Sequence, residues 1–208
     1  MRIAAPLVPA AFALGASFGV LARASHVGAL AAIVMSGTTF AGSAQVAAIS
    51  VLGGGGTVAA AVVAALLLNA RYAVIGMTVA ESFRGSILRR FGESQLVIDE
   101  SWALSGGGTP RFDRRVMLGV GVALWVGWVG GTAGGALLGG LIDPSSFGLD
   151  GAFAALFLAL LAAQLRSRRA VVAAAGGALI AAVLTPVAPP GVPILAATVA
   201  ALAGWSRT

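Results

Sequence analysis

The chain reads as a succession of apolar runs separated by short polar punctuation. Crossing a hydrocarbon core of about 30 Å takes roughly 20 apolar residues in a helix. Windows of about 19 residues place candidate spans near 4–22, 27–52, 57–80, 116–142, 151–165, 170–187 and 191–205. This pattern predicts an all-α integral membrane protein, a polytopic bundle of about seven transmembrane helices, some of them broken or re-entrant, with residues 1–208 forming a single transmembrane domain. The first run follows Arg2 and ends near Ala22-Arg23-Ala24, which resembles a signal-peptide cleavage site. Its length and the apolar span directly behind it favour a transmembrane helix instead.

Composition supports the membrane reading. Hydrophobic residues make up 59% of the chain and charged residues 10%, where soluble domains carry about a quarter charged residues; mean hydropathy is +0.98. The net charge of +6 comes from arginine alone, since there is no lysine. The arginines sit in short loops beside apolar spans, which is the positive-inside pattern and no footprint of nucleic-acid binding. Placing Arg84, Arg89, Arg90, Arg111, Arg114 and Arg115 in the cytoplasm also puts Arg166 to Arg169 and Arg207 inside. Asp143 to Asp150 then lies outside, so the expected orientation is N-terminus out and C-terminus in. There is no cysteine, hence no disulfide framework, thiolate metal site or thiol nucleophile. No cofactor signature, metal-ligand set or P-loop is present, and the last absence points away from an ATP-driven motor.

Polar residues inside the apolar runs carry the candidate chemistry. The stretch "TTFAGSAQVA" (Thr38 to Ala47) concentrates hydroxyls, an amide and a glycine where water is scarce. On a continuous helix Ser36, Thr39 and Ser43 share one seam, and Thr38 and Gln45 share nearly the opposite one. Two opposed polar stripes are hard to hide from lipid unless the helix is interrupted, and Gly37 and Gly42 are placed to permit this. Discontinuous helices expose backbone groups to substrates in transporters. Alternatively, the hydroxyls bond back to the carbonyl four residues earlier and the glycines serve packing. Gln45 needs a partner more urgently, because a buried unpaired amide costs about 2–7 kcal/mol.

A second constellation is "NARY", Asn69 to Tyr72, in the middle of the third run. Arginine at a helix centre costs about 2.5–3.5 kcal/mol even on lenient insertion scales and marks a pathway, a ligand or an ion pair, unless it snorkels to an interface. A third is "IDESWAL", Ile98 to Leu104, where Asp99 and Glu100 can bind an ammonium or carry protons, or lie on a solvated loop helix. In the fourth run Gly130 and Gly134, Gly131 and Gly135, and Gly135 and Gly139 are each four apart, a spacing for close helix packing. "GASFG" (Gly15 to Gly19) matches G-x-S-x-G and His26 follows it, but a nucleophile elbow needs a strand-to-helix turn. Inside an apolar helix the motif gives no support for an enzyme, and no catalytic residue is assigned.

Taken together, "FAGSAQ" (Phe40 to Gln45), "NARY" and "IDESWAL", in that order and spacing, resemble the AzlC family of branched-chain amino-acid export permeases. Pro6 and "SFG" (Ser17 to Gly19) resemble that family's first helix. The motifs cover roughly residues 4–110. Two positions depart from the family pattern: Tyr72 stands where histidine is usual, and Ile98 where threonine is. The tyrosine removes a group that titrates near neutral pH.

The resemblance implies the large subunit of a secondary permease in the cytoplasmic membrane, exporting branched-chain amino acids, with methionine as an additional candidate. It also implies a small membrane partner of the AzlD type. On this reading Thr39, Phe40, Gly42, Ser43 and Gln45 offer backbone and side-chain groups to a zwitterionic substrate at a helix break. Arg71 with Asn69, beside Tyr72, receives the carboxylate, and Asp99 or Glu100 receives the ammonium and couples protons. The alternatives are a passive channel for small solutes and a non-transporting membrane scaffold assembled through the glycine-rich helix.

Overall fold

A computed structural model of the chain describes residues 4–106, 112–139, 167–188 and 192–200, with 158, 161, 162 and 165 as isolated positions. Every regular element among the described residues is helical. Helix α1 (Leu7–Ala24) is followed by α2 (Ala29–Thr39), α3 (Gly42–Gly53), α4 (Val58–Asn69) and α5 (Arg71–Val79). A 3-10 turn (Ala80–Ser82) then leads to α6 (Ile87–Ser94), α7 (Asp99–Leu104) and α8 (Arg114–Leu138). Helices α9 (Arg168–Leu184) and α10 (Val192–Ala197), with a closing 3-10 turn (Thr198–Ala200), complete the described chain.

Helices α1 and α8 are long and apolar enough to cross a membrane unaided, at 18 and 25 residues, or about 27 and 37 Å at 1.5 Å per residue. The expected span near 57–80 is α4 and α5 joined at Ala70 with a 41° bend. The expected span near 27–52 is two short apolar helices, α2 and α3, parted at Phe40 and Ala41. Most of the run near 151–165, and the end of that near 191–205 beyond residue 200, lie outside the described residues. Large apolar side chains are exposed on many helices, among them Leu30, Val62, Leu66, Val122, Val126 and Leu179. That surface suits a hydrocarbon solvent, in which only the backbone must be satisfied internally.

The centre of the bundle is the α1/α8 contact, and its closeness follows from four glycines. A Cβ on Gly131 would stand 2.0 Å from the Phe12 carbonyl oxygen and one on Gly135 2.0 Å from that of Ala16. From the other side, Cβ atoms on Gly15 and Gly19 would stand 2.3 Å from the Trp128 and 2.4 Å from the Thr132 carbonyl oxygens. Backbones therefore touch where small residues four apart face each other. The glycines of "GASFG" are thus part of a helix crossing, and Ser17 between them donates to the carbonyl of Ala13 at 3.0 Å. Gly134, by contrast, faces open space.

The ends of α1 and α3 show how sequence stops a helix. After α1, the amides of His26 and Val27 bond to the carbonyls of Arg23 and Ala22 at 3.0 and 2.9 Å, with His26 left-handed at φ 62°. After α3, the amides of Gly55 and Gly56 bond to Leu52 and Val51 at 3.0 and 2.8 Å. Both are Schellman closures, one carried by glycine and one by histidine. At the start of α8, Asp113 accepts from the amides of Arg115 and Val116 at 2.8 and 3.2 Å, satisfying donors that have no partner inside the helix.

Candidate functional site

The break between α2 and α3 is made by Phe40, left-handed at φ 41°, and by Ala41 in neither helical nor extended geometry. A straight helix would hold Ser36 and Gln45 about 13 Å apart on opposite sides. Instead Gln45 Nε2 donates to Ser36 Oγ at 3.0 Å, which requires the chain to turn sharply between them. Gln45 Oε1 accepts from the Ala41 amide at 3.3 Å and from Trp128 Nε1 at 3.2 Å. Trp128 Nε1 also reaches Ser36 Oγ at 3.2 Å, and Ser36 Oγ lies 2.9 Å from Thr132 Oγ1. Since Thr132 gives its own proton to the Trp128 carbonyl at 2.9 Å, Ser36 is the donor of that pair. Every polar group of this buried network is satisfied, so it fixes the break against α8.

Trp128 supports the break in two ways. Its ring stacks on Phe18, with centroids 5.9 Å apart, and its edge covers Gly42, whose Cβ would stand 2.8 Å from Cη2. Trp125, one turn earlier, donates to the Gly37 carbonyl at 3.0 Å. Neither tryptophan hydrogen bond nor the role of Thr132 was visible in the polar pattern of residues 36–45; the only signal was a lone threonine and two indoles in an otherwise apolar, glycine-rich helix.

The break regroups the polar residues relative to a continuous helix. Ser36 and Gln45, on opposed stripes of a straight helix, meet each other, while Ser43 leaves the seam of Ser36 and turns to α5. Thr38 bonds back to the Val34 carbonyl at 2.7 Å and Thr39 is exposed. Phe40 is buried.

A charged cluster assembles beside this network from the three motif segments. Arg71 Nη2 donates to Ser43 Oγ at 3.1 Å and pairs with Asp99 Oδ2 at 2.9 Å. The Arg71 guanidinium carbon lies 5.2 Å from the ring centroid of Tyr72, within reach of a cation–π contact. "FAGSAQ", "NARY" and "IDESWAL" thus each contribute to one cluster, from α3, α5 and α7. Both contacts of Arg71 use Nη2, so one nitrogen ties the guanidinium to α3 and α7. Its planar guanidinium is the group of the cluster whose chemistry suits a carboxylate.

Asn69 closes α4 one residue before the bend at Ala70, and its Oδ1 is buried with no hydrogen-bond partner among the described residues. Such an orphan is rare in folded chains. The unpaired atom is an acceptor, which suits an ammonium or hydroxyl donor. Asp99 and Glu100 occupy the first turn of α7, where the helix dipole favours negative charge; Asp99 faces Arg71 and Glu100 is exposed. Ser101, buried at the next position, accepts from the Ile98 amide at 2.9 Å and holds this turn in place.

Among the described residues no group of three or more histidine, cysteine, aspartate or glutamate side chains could hold a metal ion. The arrangement is that of a helical membrane protein whose interrupted spans bring a cation, an anion, a hydroxyl and an unpaired carbonyl oxygen into one region. The chain matches the family model described as "AzlC protein" over residues 6–142, and it belongs to the AzlC family. It is 31% identical over 179 residues to an "Uncharacterized membrane protein" of Archaeoglobus fulgidus, covering 84% of this chain and 78% of that one. It is also 26% identical over 156 residues to the "Branched-chain amino acid transport protein AzlC" of Bacillus subtilis, covering 73% of this chain. The match spans 61% of the Bacillus protein's length. No solved structure matches the chain.

Proposed function

We propose that this protein is the large subunit of a two-component secondary permease that exports branched-chain amino acids, and methionine, across the cytoplasmic membrane, with an AzlD-type small membrane subunit as its partner. The observation that carries the reading is the junction of Ser43, Arg71 and Asp99. It unites all three motif segments in a charged cluster, and Arg71 belongs to a pair of helices that pass as one bent span.

Charged groups at that depth do not face hydrocarbon, yet the Arg71 and Asp99 side chains each keep 45% exposure. A water-filled cavity reconciles the two. In this cavity the Arg71 guanidinium takes the substrate carboxylate, and Asp99 with Asn69 Oδ1 takes the ammonium. Tyr72 and the surrounding apolar residues face the aliphatic side chain. Without substrate Arg71 and Asp99 neutralise one another; a zwitterion supplies the same two charges and exchanges into the pair. Proton coupling through Asp99 or Glu100 belongs to this proposal, as does an orientation with the arginine-rich loop 81–115 in the cytoplasm.

Efflux of preloaded isoleucine, leucine, valine and methionine from cells expressing the chain, with and without a small partner subunit, tests this reading. The expected result is efflux that needs the partner and fails in Arg71→Ala. Assembly of the complex without efflux of any of the four would sink it and leave the scaffold reading.

A further inference from the structure

Helix α6 lies five residues beyond Ser82, where the bent span ends, and it has no lipid-like environment inside the protein. Around its axis, at 100° per residue, Ile87, Phe91 and Leu88 fill one arc, and Arg89, Glu93 and Arg90 the opposite one. Ile87 is 85%, Leu88 81% and Phe91 62% exposed, so the apolar arc is largely open. What anchors α6 is its polar side: Glu93 receives two hydrogen bonds from Arg114 at the start of α8 and one from Arg89.

Between α6 and α5 lies an open cavity of about 520 Å³, within the roughly 300–1,000 Å³ range of ligand pockets. One wall is a single face of α5, made of Tyr72, Gly76 and Val79 and continued by Ala80 of the 3-10 turn; the facing wall carries Ile87, Phe91 and Arg90. Phe83 and Val97 also line it. Gly76 has nothing within 4 Å of where its Cβ would be, so the groove is open at its middle. Arg90 sits at the polar shoulder of the groove, and Arg84 is exposed in the turn just before α6. Whereas Arg89 and Arg114 are matched by Glu93, the described residues give Arg84 and Arg90 no carboxylate.

An apolar groove at the end of a span, with Arg90 in its wall and Arg84 in the turn that leads into that wall, has the chemistry of a phospholipid turned on its side. We propose that the α5/α6 groove binds an anionic phospholipid. One acyl chain lies against Gly76, Val79, Phe83, Ile87 and Phe91, and the phosphate is held by Arg84 and Arg90. Short interfacial helices with an apolar arc and flanking arginines bind anionic bilayers in this way. The charge favours an anionic lipid over a zwitterionic one, and the length of the apolar groove favours a lipid over free phosphate. The site has a consequence for transport that rests on the function proposed above. Tyr72 forms the groove wall and also lies beneath the Arg71 guanidinium, so a bound acyl chain braces the ring on which Arg71 rests.

The test uses the full chain in phosphatidylcholine vesicles doped with spin-labelled phosphatidylglycerol or spin-labelled phosphatidylcholine, reading the motionally restricted fraction by electron spin resonance. The expected result is a several-fold preference for the anionic label. The preference falls to about one in R84Q/R90Q, survives in the control R23Q, and resists millimolar glycerol phosphate. Gly76→Leu, which fills the groove, reduces the restricted fraction for both labels. An unchanged preference in a well-folded R84Q/R90Q would overturn the proposal. So would loss of the preference to glycerol phosphate, which would mark a simple phosphate site, or labels excluded from α6 by a co-purifying protein. The lipid site stands or falls on these readings alone, whereas the transport proposal is decided by efflux.

Discussion

Arg71 Nη2 lies 2.9 Å from Asp99 Oδ2 and 3.1 Å from Ser43 Oγ, so one nitrogen joins α3, α5 and α7. A purely structural bridge and a substrate site respond differently when both charges are removed. With each partner 45% exposed, the pair contributes about 1 kcal/mol or less to stability. R71A and D99A should each lower efflux at least tenfold. The double variant R71A/D99A should recover the membrane abundance of the wild type, since no charge is left unmatched, without recovering efflux. Restored efflux in the double variant would reduce the pair to a structural role.

The same site predicts that R71K is not conservative. Lysine keeps the charge but has no planar fork, so it meets a carboxylate as a point charge without the bidentate geometry. Efflux measured against internal substrate concentration should show a severalfold higher half-saturation in R71K at similar abundance. An unchanged half-saturation would mean that the Arg71 guanidinium is not where the carboxylate docks.

The buried network at the α2/α3 break gives a stability prediction. Gln45 is fully buried and serves Ser36, Trp128 and the Ala41 amide at once. Gln45→Leu keeps the approximate volume, strands the Ala41 amide at about 1–3 kcal/mol for a buried group left unpaired, and leaves Ser36 and Trp128 with only each other and Thr132. Thermal unfolding of the detergent-solubilised protein should begin several degrees lower in Q45L. Thr39→Ala, at an exposed position of the same motif, should leave the transition unchanged.

These contrasts show how far the sequence was legible. The crowding of polar residues at 36–45 does signal an interrupted helix, and the interruption lies between Gly37 and Gly42, at Phe40 and Ala41. The grouping by a continuous helical wheel does not survive, because a left-handed residue resets the phase: Ser36 meets Gln45, and Ser43 meets Arg71. That Arg71 and Asp99 each need an opposite charge follows from their position in apolar sequence, but that they satisfy each other is a tertiary fact. Likewise the four-residue glycine spacing of α8 is plain, whereas the choice of Gly131 and Gly135 over Gly130 and Gly134 depends on Gly15 and Gly19 of α1.

That choice is directly testable. Gly131→Ala or Gly135→Ala would place a methyl group 2.0 Å from a backbone oxygen of α1, and neither backbone can yield without parting the helices. Gly134→Ala adds the same methyl to open space and removes a flexible residue from a helix interior. Size-exclusion profiles after solubilisation should therefore show loss of the monodisperse species for the first two and a normal or improved profile for the third. Equal behaviour of the three would place the α1/α8 contact elsewhere.

The Glu93 clamp sets a pH dependence outside the spans. Hydrogen bonds from Arg114 and then Arg89 hold the Glu93 carboxyl below the ordinary glutamate range, about 4.3. A depressed carboxylate contributes stability that is fully present above its unfolded pKa and is lost as pH falls through the folded one. The link from α6 to α8 should thus hold from neutral pH down to about pH 4 and weaken below it. Amide hydrogen exchange in α6, compared at pH values with intrinsic rates corrected, should rise on acidification in the wild type. In Glu93→Gln it should already be fast at neutral pH and show no further acid-dependent step; a wild-type rise that persists unchanged in that variant would assign the transition to another carboxylate.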